Sequence, residues 1–315
     1  IFKEMKVGFI INDLDSMDLK KDTSVYLMKE AFDRDYEVRI FDVCDVTYKD
    51  NDLYADSSKV HFDHPDNLKF SLQNSENTRI KELDYVINRV NPPFNKEYLY
   101  LTQLLEVSGV DCINSAKSLR ENNEKLIILN FPDLIPYTKV TNSLDEIKTI
   151  FDKGFEKVVL KPLDGMGGKS IFFINKDDKN LNVVWETITQ GGRKHIIAQE
   201  YVDASKKGDN RLTFINYELL PKKLIRLASD SDFRGNLAVG ATSKVEDVSD
   251  FDKDIAAKII PYLKENKIYF AGADLLGDKL SEINLTSPTC LQEIHRGSDI
   301  NPGAVFWDNL KENKN

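Results

Sequence analysis

The 315-residue sequence predicts an α/β fold. Three observations lead there: an apolar run at the start, a β–α–β rhythm over residues 1–120, and later strands that flank glycine-rich and acidic turns. Met5 to Asn12 (MKVGFIIN) reads as a buried parallel strand, because its apolar residues are continuous rather than alternating. Met5 is the expected start, with the four residues before it an extension. Asp22, Thr23 and Ser24 offer N-caps to a helix whose apolar spacing runs from Val25 to Arg34. Glu37 to Val43 reads as a second strand, while residues 45–80 are polar, rich in Asp and Asn, and give few signals. Asp84 to Val90 (DYVINRV) is a further strand, stopped by Pro92 and Pro93. A helix over Tyr98 to Ser108 and a short strand over Val110 to Ile113 complete a Rossmann-like N-terminal domain, residues 1–120.

Beyond Leu119 the pattern changes. Ser143 to Asp152 is a capped helix and Lys157 to Lys161 (KVVLK) a strand. A glycine-rich turn, Leu163 to Ser170, leads directly into the strand Ile171 to Ile174, so the turn joins two strands and not a strand to a helix. Strands over Ile196 to Val202 and Arg211 to Ile215 follow, then a helix over Phe251 to Glu265. Ile268 to Leu275 and Leu280 to Asn284 flank Gly277-Asp278-Lys279, a hairpin signal.

The net charge of −9 and pI near 5.2 exclude a broad nucleic-acid surface, which needs clustered excess Lys and Arg. Cys44, Cys112 and Cys290 are widely spaced and read as reduced thiols; His61 and His64 lie in a polar loop, with no HExxH to suggest zinc. No run approaches the ~18 apolar residues of a membrane span. The expectation is a cytoplasmic protein without nucleic-acid or membrane partners.

The turn at 163–170 is not a P-loop: Leu163 stands five positions before Gly168, where a glycine is required, and a strand follows instead of a helix. The dinucleotide fingerprint fails at Ser170, which argues against a Rossmann oxidoreductase, and the motifs of a protein kinase are missing. What remains is a loop whose backbone N–H groups can close over phosphates, with Lys161 on the leading strand as a point charge. A plain turn between strands is the alternative. The second constellation is Asp274, Glu282 and Asn284. Glu282 and Asn284 share a strand face, and a three-residue loop at 277–279 puts Asp274 opposite Glu282. Two facing carboxylates repel unless a cation lies between them, and these hard oxygen donors suit Mg²⁺. An exposed polar hairpin face is the alternative.

The wording of several stretches resembles the prokaryotic glutathione synthetases of the ATP-grasp superfamily. These are Ser118-Leu119-Arg120, Asn123-Glu124-Lys125-Leu126, Leu160 to Gly168, Arg234 to Ala238, and Glu282-Ile283-Asn284-Leu285-Thr286-Ser287-Pro288-Thr289-Cys290, with echoes at Lys20 to Ser24 and Asn91 to Phe94. The resemblance spans about residues 5–295. It implies a two-lobed ATP-grasp domain after the first domain: a small lobe over residues 121–203 with the glycine-rich loop, and a large lobe over 204–315 with the metal site and a lid. It further implies that ATP, γ-glutamylcysteine and glycine give glutathione, ADP and phosphate through an acyl phosphate, in a homo-oligomer, a tetramer. In the roles it suggests, Lys125 and Lys161 hold phosphates under the loop Asp164, Gly165, Met166, Gly167 and Gly168. Gln199, Glu200, Tyr201 and Val202 form the hinge at adenine, and Asp209 reaches the ribose. Asp274, Glu282 and Asn284 carry Mg²⁺, with Mn²⁺ as the alternative ion. Arg211 steadies the acyl phosphate, with Arg226 either a second cation or a solvated surface arginine. Lys21, Arg89, Arg234, Asn236, Ser287 and Thr289 face the substrates, and Asp230 to Gly240 resembles the lid.

Two departures stand out. Arg89-Val90-Asn91 replaces the family's Arg-Lys-Asp before the double proline, and Ser229 to Phe233 lacks the expected glycines. A ligase for another acid–amine pair and a non-catalytic ATP-binding module are the competing readings.

Overall fold

The computed structural model describes residues 4–12, 14–65, 67–91, 94–165, 170–204, 208–227 and 242–312. The first sheet is built on parallel strands Lys6–Ile10 (β1) and Glu37–Phe41 (β2), joined by helix Thr23–Phe32 (α1). Asp22 caps α1 by accepting from the N–H groups of Ser24 and Val25.

Residues 45–80 form strands, where the sequence signals were weak. Val46–Lys49 (β3), Asp52–Phe62 (β4) and Phe70–Arg79 (β5) extend the sheet in antiparallel fashion beyond β2. The inward positions of β4 run Leu53, Ala55, Ser57, and then slip through an irregularity to Val60 and Phe62. Small and hydroxyl side chains at inward positions, plus that slip, hide the period of two. Tyr85–Asn88 (β6), helix Lys96–Ser108 (α2), Cys112–Ile113 (β7) and helix Ala116–Glu121 (α3) finish the first domain, with β6 and β7 parallel to β1.

The next segment folds as an antiparallel sheet with its own core. Thr138–Thr141 (β8), helix Leu144–Asp152 (α4), Lys157–Pro162 (β9), Phe172–Asn175 (β10), helix Leu181–Thr189 (α5) and Ile196–Glu200 (β11) form it in the strand order β10-β9-β11-β8. The expected hairpin across the glycine-rich turn is present, Phe172 pairing with Leu160. Ile147, Ile150, Leu160, Ile174 and Ile196 fill a cluster confined to this lobe.

The third sheet contains Asp209–Ile215 (β12), Glu218–Leu219 (β13), Lys222–Leu227 (β14), Thr242–Asp247 (β15), Phe270–Leu276 (β16) and Lys279–Asn284 (β17), with helix Asp250–Glu265 (α6) packed on it. Its core is continuous with the first domain: Leu101 and Leu105 of α2 share a cluster with Leu212, Phe214 and Ile283.

Helices Leu291–Gly297 (α7) and Pro302–Glu312 (α8) end the chain. Residues up to 315 were expected with the large lobe, but α8 packs against α1 of the first domain. Trp307 is wholly buried, donates from Nε1 to the Leu27 carbonyl at 2.9 Å, and meets Phe9 edge-on at 6.2 Å. Among the described residues no helix is long and apolar enough to cross a membrane.

Truncating a fully buried tryptophan leaves a cavity and removes the indole donor to the Leu27 carbonyl. Trp307→Ala is expected to lower unfolding stability by about 3–5 kcal/mol, read as a shift of the urea midpoint; a midpoint within error of the parent would show that α8 does not brace the first domain.

Candidate functional site

The third sheet presents one polar face to the small lobe. Register places Arg226 of β14 opposite Asp209 of β12, Arg211 of β12 opposite Asp274 of β16, and Asp274 opposite Glu282 of β17. Residues two apart on a strand share a face, so these five side chains and Asn284 line one surface.

They are wired together. Arg211 holds Asp274 through Nε and through Nη2, the latter at 2.9 Å. Arg226 binds Asp209 at 2.6 and 2.7 Å and reaches Asp274 Oδ2 at 2.7 Å. Asn284 Nδ2 lies 3.2 Å from the same oxygen. Burial alone would raise the Asp274 carboxyl, but the two guanidiniums outweigh it and hold the group well below the usual carboxylate range. Gly272 makes room for this arrangement: a Cβ there would come within 2.7 Å of Arg211 Cδ and 3.0 Å of its Nε. Arg226 is therefore a buried member of the site and not a surface arginine, and Asp209, expected at a ribose, is its ion-pair partner.

Two lysines reach the site: Lys161 from the small lobe, and Lys125 from the segment before β8, whose Ile127 and Ile128 pack in the core shared by the first domain and the large lobe. Lys125, 4% exposed, donates from Nζ to the Gly165 carbonyl at 2.5 Å and sits 3.9 Å from Glu282 Oε1. Asn123 accepts from the Lys125 N–H at 3.0 Å and donates to the Leu163 carbonyl at 2.9 Å, tying the segment to the glycine-rich loop. Lys161, 7% exposed on β9, donates to Gln199 Oε1 and Ser281 Oγ, each at 3.0 Å. Burial brings the Lys161 ammonium down from the ordinary 10.5 to about 8, with Glu282 opposing and Lys125 adding to the fall. Asp164 lies 3.5 Å from Lys194, at the entrance to the loop. Met166, Gly167, Gly168, Arg234 and Asn236, together with the expected lid, lie outside the described residues.

The hinge differs in detail from the expectation. Gln199 was assigned to adenine, but its backbone pairs with Thr138 in the β11–β8 ladder and its amide holds Lys161. The Glu200 and Tyr201 N–H groups donate to the carbonyls of Tyr137 and Lys157, and the Glu200 carboxylate accepts from the Tyr137 N–H at 3.0 Å. These donors secure the hinge to neighbouring strands. The Tyr201 ring packs on Phe173 at 4.8 Å, with Val202 next in the chain.

The substrate-facing candidates gather at another seam. Arg89 is buried, donates from Nε to Ser24 Oγ at 2.9 Å, and stacks 5.8 Å above Phe270; among the described residues its Nη1 has no hydrogen-bond partner. Burial lowers its guanidinium to about 10, opposed by Asp22. Lys21 is exposed on a turn that α7 grips, since Gln292 donates to the Leu19 and Asp22 carbonyls. Ser287 is half-buried and Thr289 exposed between β17 and α7. A cavity of about 240 Å³, bounded by Phe94, Tyr98, Glu124, Lys125, Gly165 and Thr286, opens at Lys125.

The hairpin reached its expected register by another route. Lys279 pairs with Leu276, so the turn has two residues, and a bulge between Asp274 and Leu275 restores the Asp274–Glu282 pairing. The bulge leaves Ser281 unopposed on β17. Ser281 and Glu124 were both missed. Glu124 accepts from the Leu285 and Thr286 N–H groups at 2.8 Å and pins the lobe junction to the end of β17. The signal for Ser281 was the spacing Leu280-x-x-Ile283, one residue too long for strict alternation.

The donor set divides in its fit to a divalent cation. Among the described residues no three His, Cys, Asp or Glu side chains converge; the candidate set is two carboxylates and an amide. Glu282 has Lys125, at 3.9 Å, and Lys161 as countercharges among the described residues, yet burial together with Glu124 and Asp274 raises its carboxyl, so a cation would relieve it. Asp274 receives three donors on Oδ2 and one on Oδ1, so Oδ1 is the oxygen with capacity left for a cation. The repulsion expected between the two carboxylates is thus met in part by arginine.

Comparison with known proteins agrees with this geometry. Residues 5–120 match the family described as prokaryotic glutathione synthetase, N-terminal domain, and residues 124–299 the family's ATP-grasp domain. The glutathione synthetase of Vibrio parahaemolyticus is 38% identical over 310 residues, covering 98% of each chain, and that of Shewanella oneidensis 36% over 310 residues, again 98% of each. The solved D-cycloserine synthetase DcsG superposes with a TM-score of 0.71 over 98% of this chain and 99% of its own at 14% identity, a likeness of fold. The chain belongs to the prokaryotic glutathione synthetase family, and it is an ATP-dependent ligase.

The lowered Lys161 sets a pH dependence. Its ammonium is charged below about pH 8 in the free protein and loses its proton as pH rises past that value. Affinity for ADP or ATP is therefore expected to fall above pH 8, by up to about tenfold per unit, with proton uptake on binding. Titration calorimetry in buffers of different ionisation enthalpy checks this. A flat profile from pH 7 to 9.5 would remove Lys161 from the phosphates.

Proposed function

We propose that this member of the family joins γ-glutamylcysteine to glycine at the cleft between the small and large lobes, using ATP with Mg²⁺ as the metal and Mn²⁺ as the alternative. The observation that carries the reading is the meeting of the two lobes. Lys161 of the small lobe meets Ser281 of the large lobe at 3.0 Å, and Lys125, on the segment between the first domain and the small lobe, donates to the Gly165 carbonyl and lies 3.9 Å from Glu282, leaving cations and acidic oxygens around a single space.

The chemistry follows from charge. A carboxylate is a poor electrophile, so its oxygen first attacks the γ-phosphorus of ATP, the bond to the β,γ-bridging oxygen breaks, and ADP leaves. The amine of glycine then attacks the acyl carbon, loses a proton, and phosphate departs. Both steps bring anions together, and neutralisation with alignment supplies most of the catalysis. Lys125 and Lys161 take the phosphates of ATP. Arg211 and Arg226, held in fixed orientation by Asp274 and Asp209, face the transferred phosphoryl group and the tetrahedral oxyanion. The cation would be held by Glu282 and Asn284, with Asp274 as third ligand through Oδ1, which accepts a single donor, and it would neutralise triphosphate charge. The Nη1 of Arg89, without a hydrogen-bond partner among the described residues, is suited to a substrate carboxylate, with Lys21, Ser287 and Thr289 along the same seam. Val202, Tyr201 and the hinge backbone border the adenine.

Coupled ADP release tests the substrates. γ-Glutamylcysteine with glycine is expected to drive turnover at least about 100-fold faster than ATP with either alone, the margin a positioned nucleophile gives over water. Faster release with another acid–amine pair would make the chain a ligase for that pair, and ATP binding without release for any pair would make it a silent binding module. In the same assay Glu282→Gln is expected to raise the Mg²⁺ concentration for half-maximal rate by about tenfold or more, since one charged ligand becomes neutral. An unchanged Mg²⁺ dependence would take Glu282 out of the metal site.

A further inference from the structure

Lys161 carries a long side chain that no helix or turn orients, yet its nitrogen is placed by acceptors from two lobes. Gln199 lies two positions beyond the residue paired with Lys161 in the β9–β11 ladder, so the side chains meet diagonally on one sheet face. The Gln199 amide is itself fixed: Nε2 donates to Thr138 Oγ1 at 2.7 Å, and Thr138 donates to the Pro136 carbonyl at 2.7 Å. This chain of donors leaves Oε1 toward the lysine.

The second acceptor arrives from the large lobe, and only because β17 is bulged. After the two-residue turn, regular pairing would set Ser281 opposite Asp274 and turn Glu282 away. The extra residue instead brings Glu282 opposite Asp274 and leaves Ser281 unpaired beside it. Leu280 and Ile283 both enter the core, so Ser281 and Glu282 in between both face the cleft. One backbone irregularity thus delivers an acidic ligand and a hydroxyl side by side.

We propose that Ser281 is a positioning residue of the ligase: its hydroxyl, with the Gln199 amide, aims Lys161 Nζ at the phosphates of ATP and couples that aim to the apposition of the two lobes. The proposal rests on the reading of Lys161 as a phosphate-binding cation. An ammonium has three N–H donors. Two are taken by Ser281 and Gln199, leaving one for a phosphate oxygen. Both acceptors are neutral, so they orient the charge without cancelling it, as a carboxylate at either position would.

The test is steady-state kinetics on the full chain with Ser281→Ala, Ser281→Thr and Lys161→Ala, with melting temperatures taken alongside. Ser281→Ala is expected to lower kcat about tenfold, the usual worth of a hydrogen bond to a charged group, while KM for the dipeptide and for glycine stays within about twofold. Ser281→Thr keeps the hydroxyl and is expected to restore kcat to within about threefold of the parent, a rescue that a purely structural role does not require. Lys161→Ala is expected to lose at least as much as Ser281→Ala. Parental kcat in Ser281→Ala beside an inactive Lys161→Ala would overturn the positioning role and leave the phosphate role standing. A Ser281→Thr variant no better than alanine would overturn it as well. Parental turnover in Lys161→Ala would sink both.

Discussion

Asp274 sits on β16 with its carboxylate almost out of reach of water, and four donors converge on it from three strands and two arginines. An isolated charge in such a place costs several kcal/mol. Sharing it between Arg211 and Arg226 offsets that cost and at the same time fixes two long, flexible cations. Asp209 then completes the set by holding the other edge of Arg226. The rest of the cleft is arranged around this network: Gly272 is there because a side chain would strike Arg211, and the bulge in β17 is there because Glu282 must stand beside Asp274.

The packing explains why the network lies where it does. The first domain and the large lobe share apolar clusters, and α8 returns from the end of the chain to brace α1, so these parts form one packed body. The small lobe keeps a core to itself. Polar bonds mark where it meets the rest of the site: Lys161 reaches Ser281, and the Gly165 carbonyl accepts from Lys125, whose own segment packs in the shared core through Ile127 and Ile128. Such a junction binds anions more readily than an apolar one, because its cations already face a common space and retain donors for a ligand.

Much of this was legible in order along the chain. The β–α–β start and the strand–loop–strand at the glycine-rich turn follow from local spacing, whereas the expected pairing of Asp274 with Glu282 is reached through a bulge that the spacing did not show. Strands 46–49, 52–62 and 70–79 were not legible, because Ala55 and Ser57 stand inward where a strand pattern needs large apolar groups and the register slips before Val60. Asp209 was placed at the ribose and Gln199 at the adenine, since residue type along one strand says nothing about a partner on the next.

By itself, then, the sequence determined the fold class, the family and the residue types of the site, because backbone periodicity and short motifs are local properties. Tertiary structure decided which charges meet. The sharing of Asp274 by two arginines, the burial of Arg226 and the arrival of Ser281 at Lys161 depend on sheet register and on one bulge, and register is settled by contacts between segments far apart in the chain.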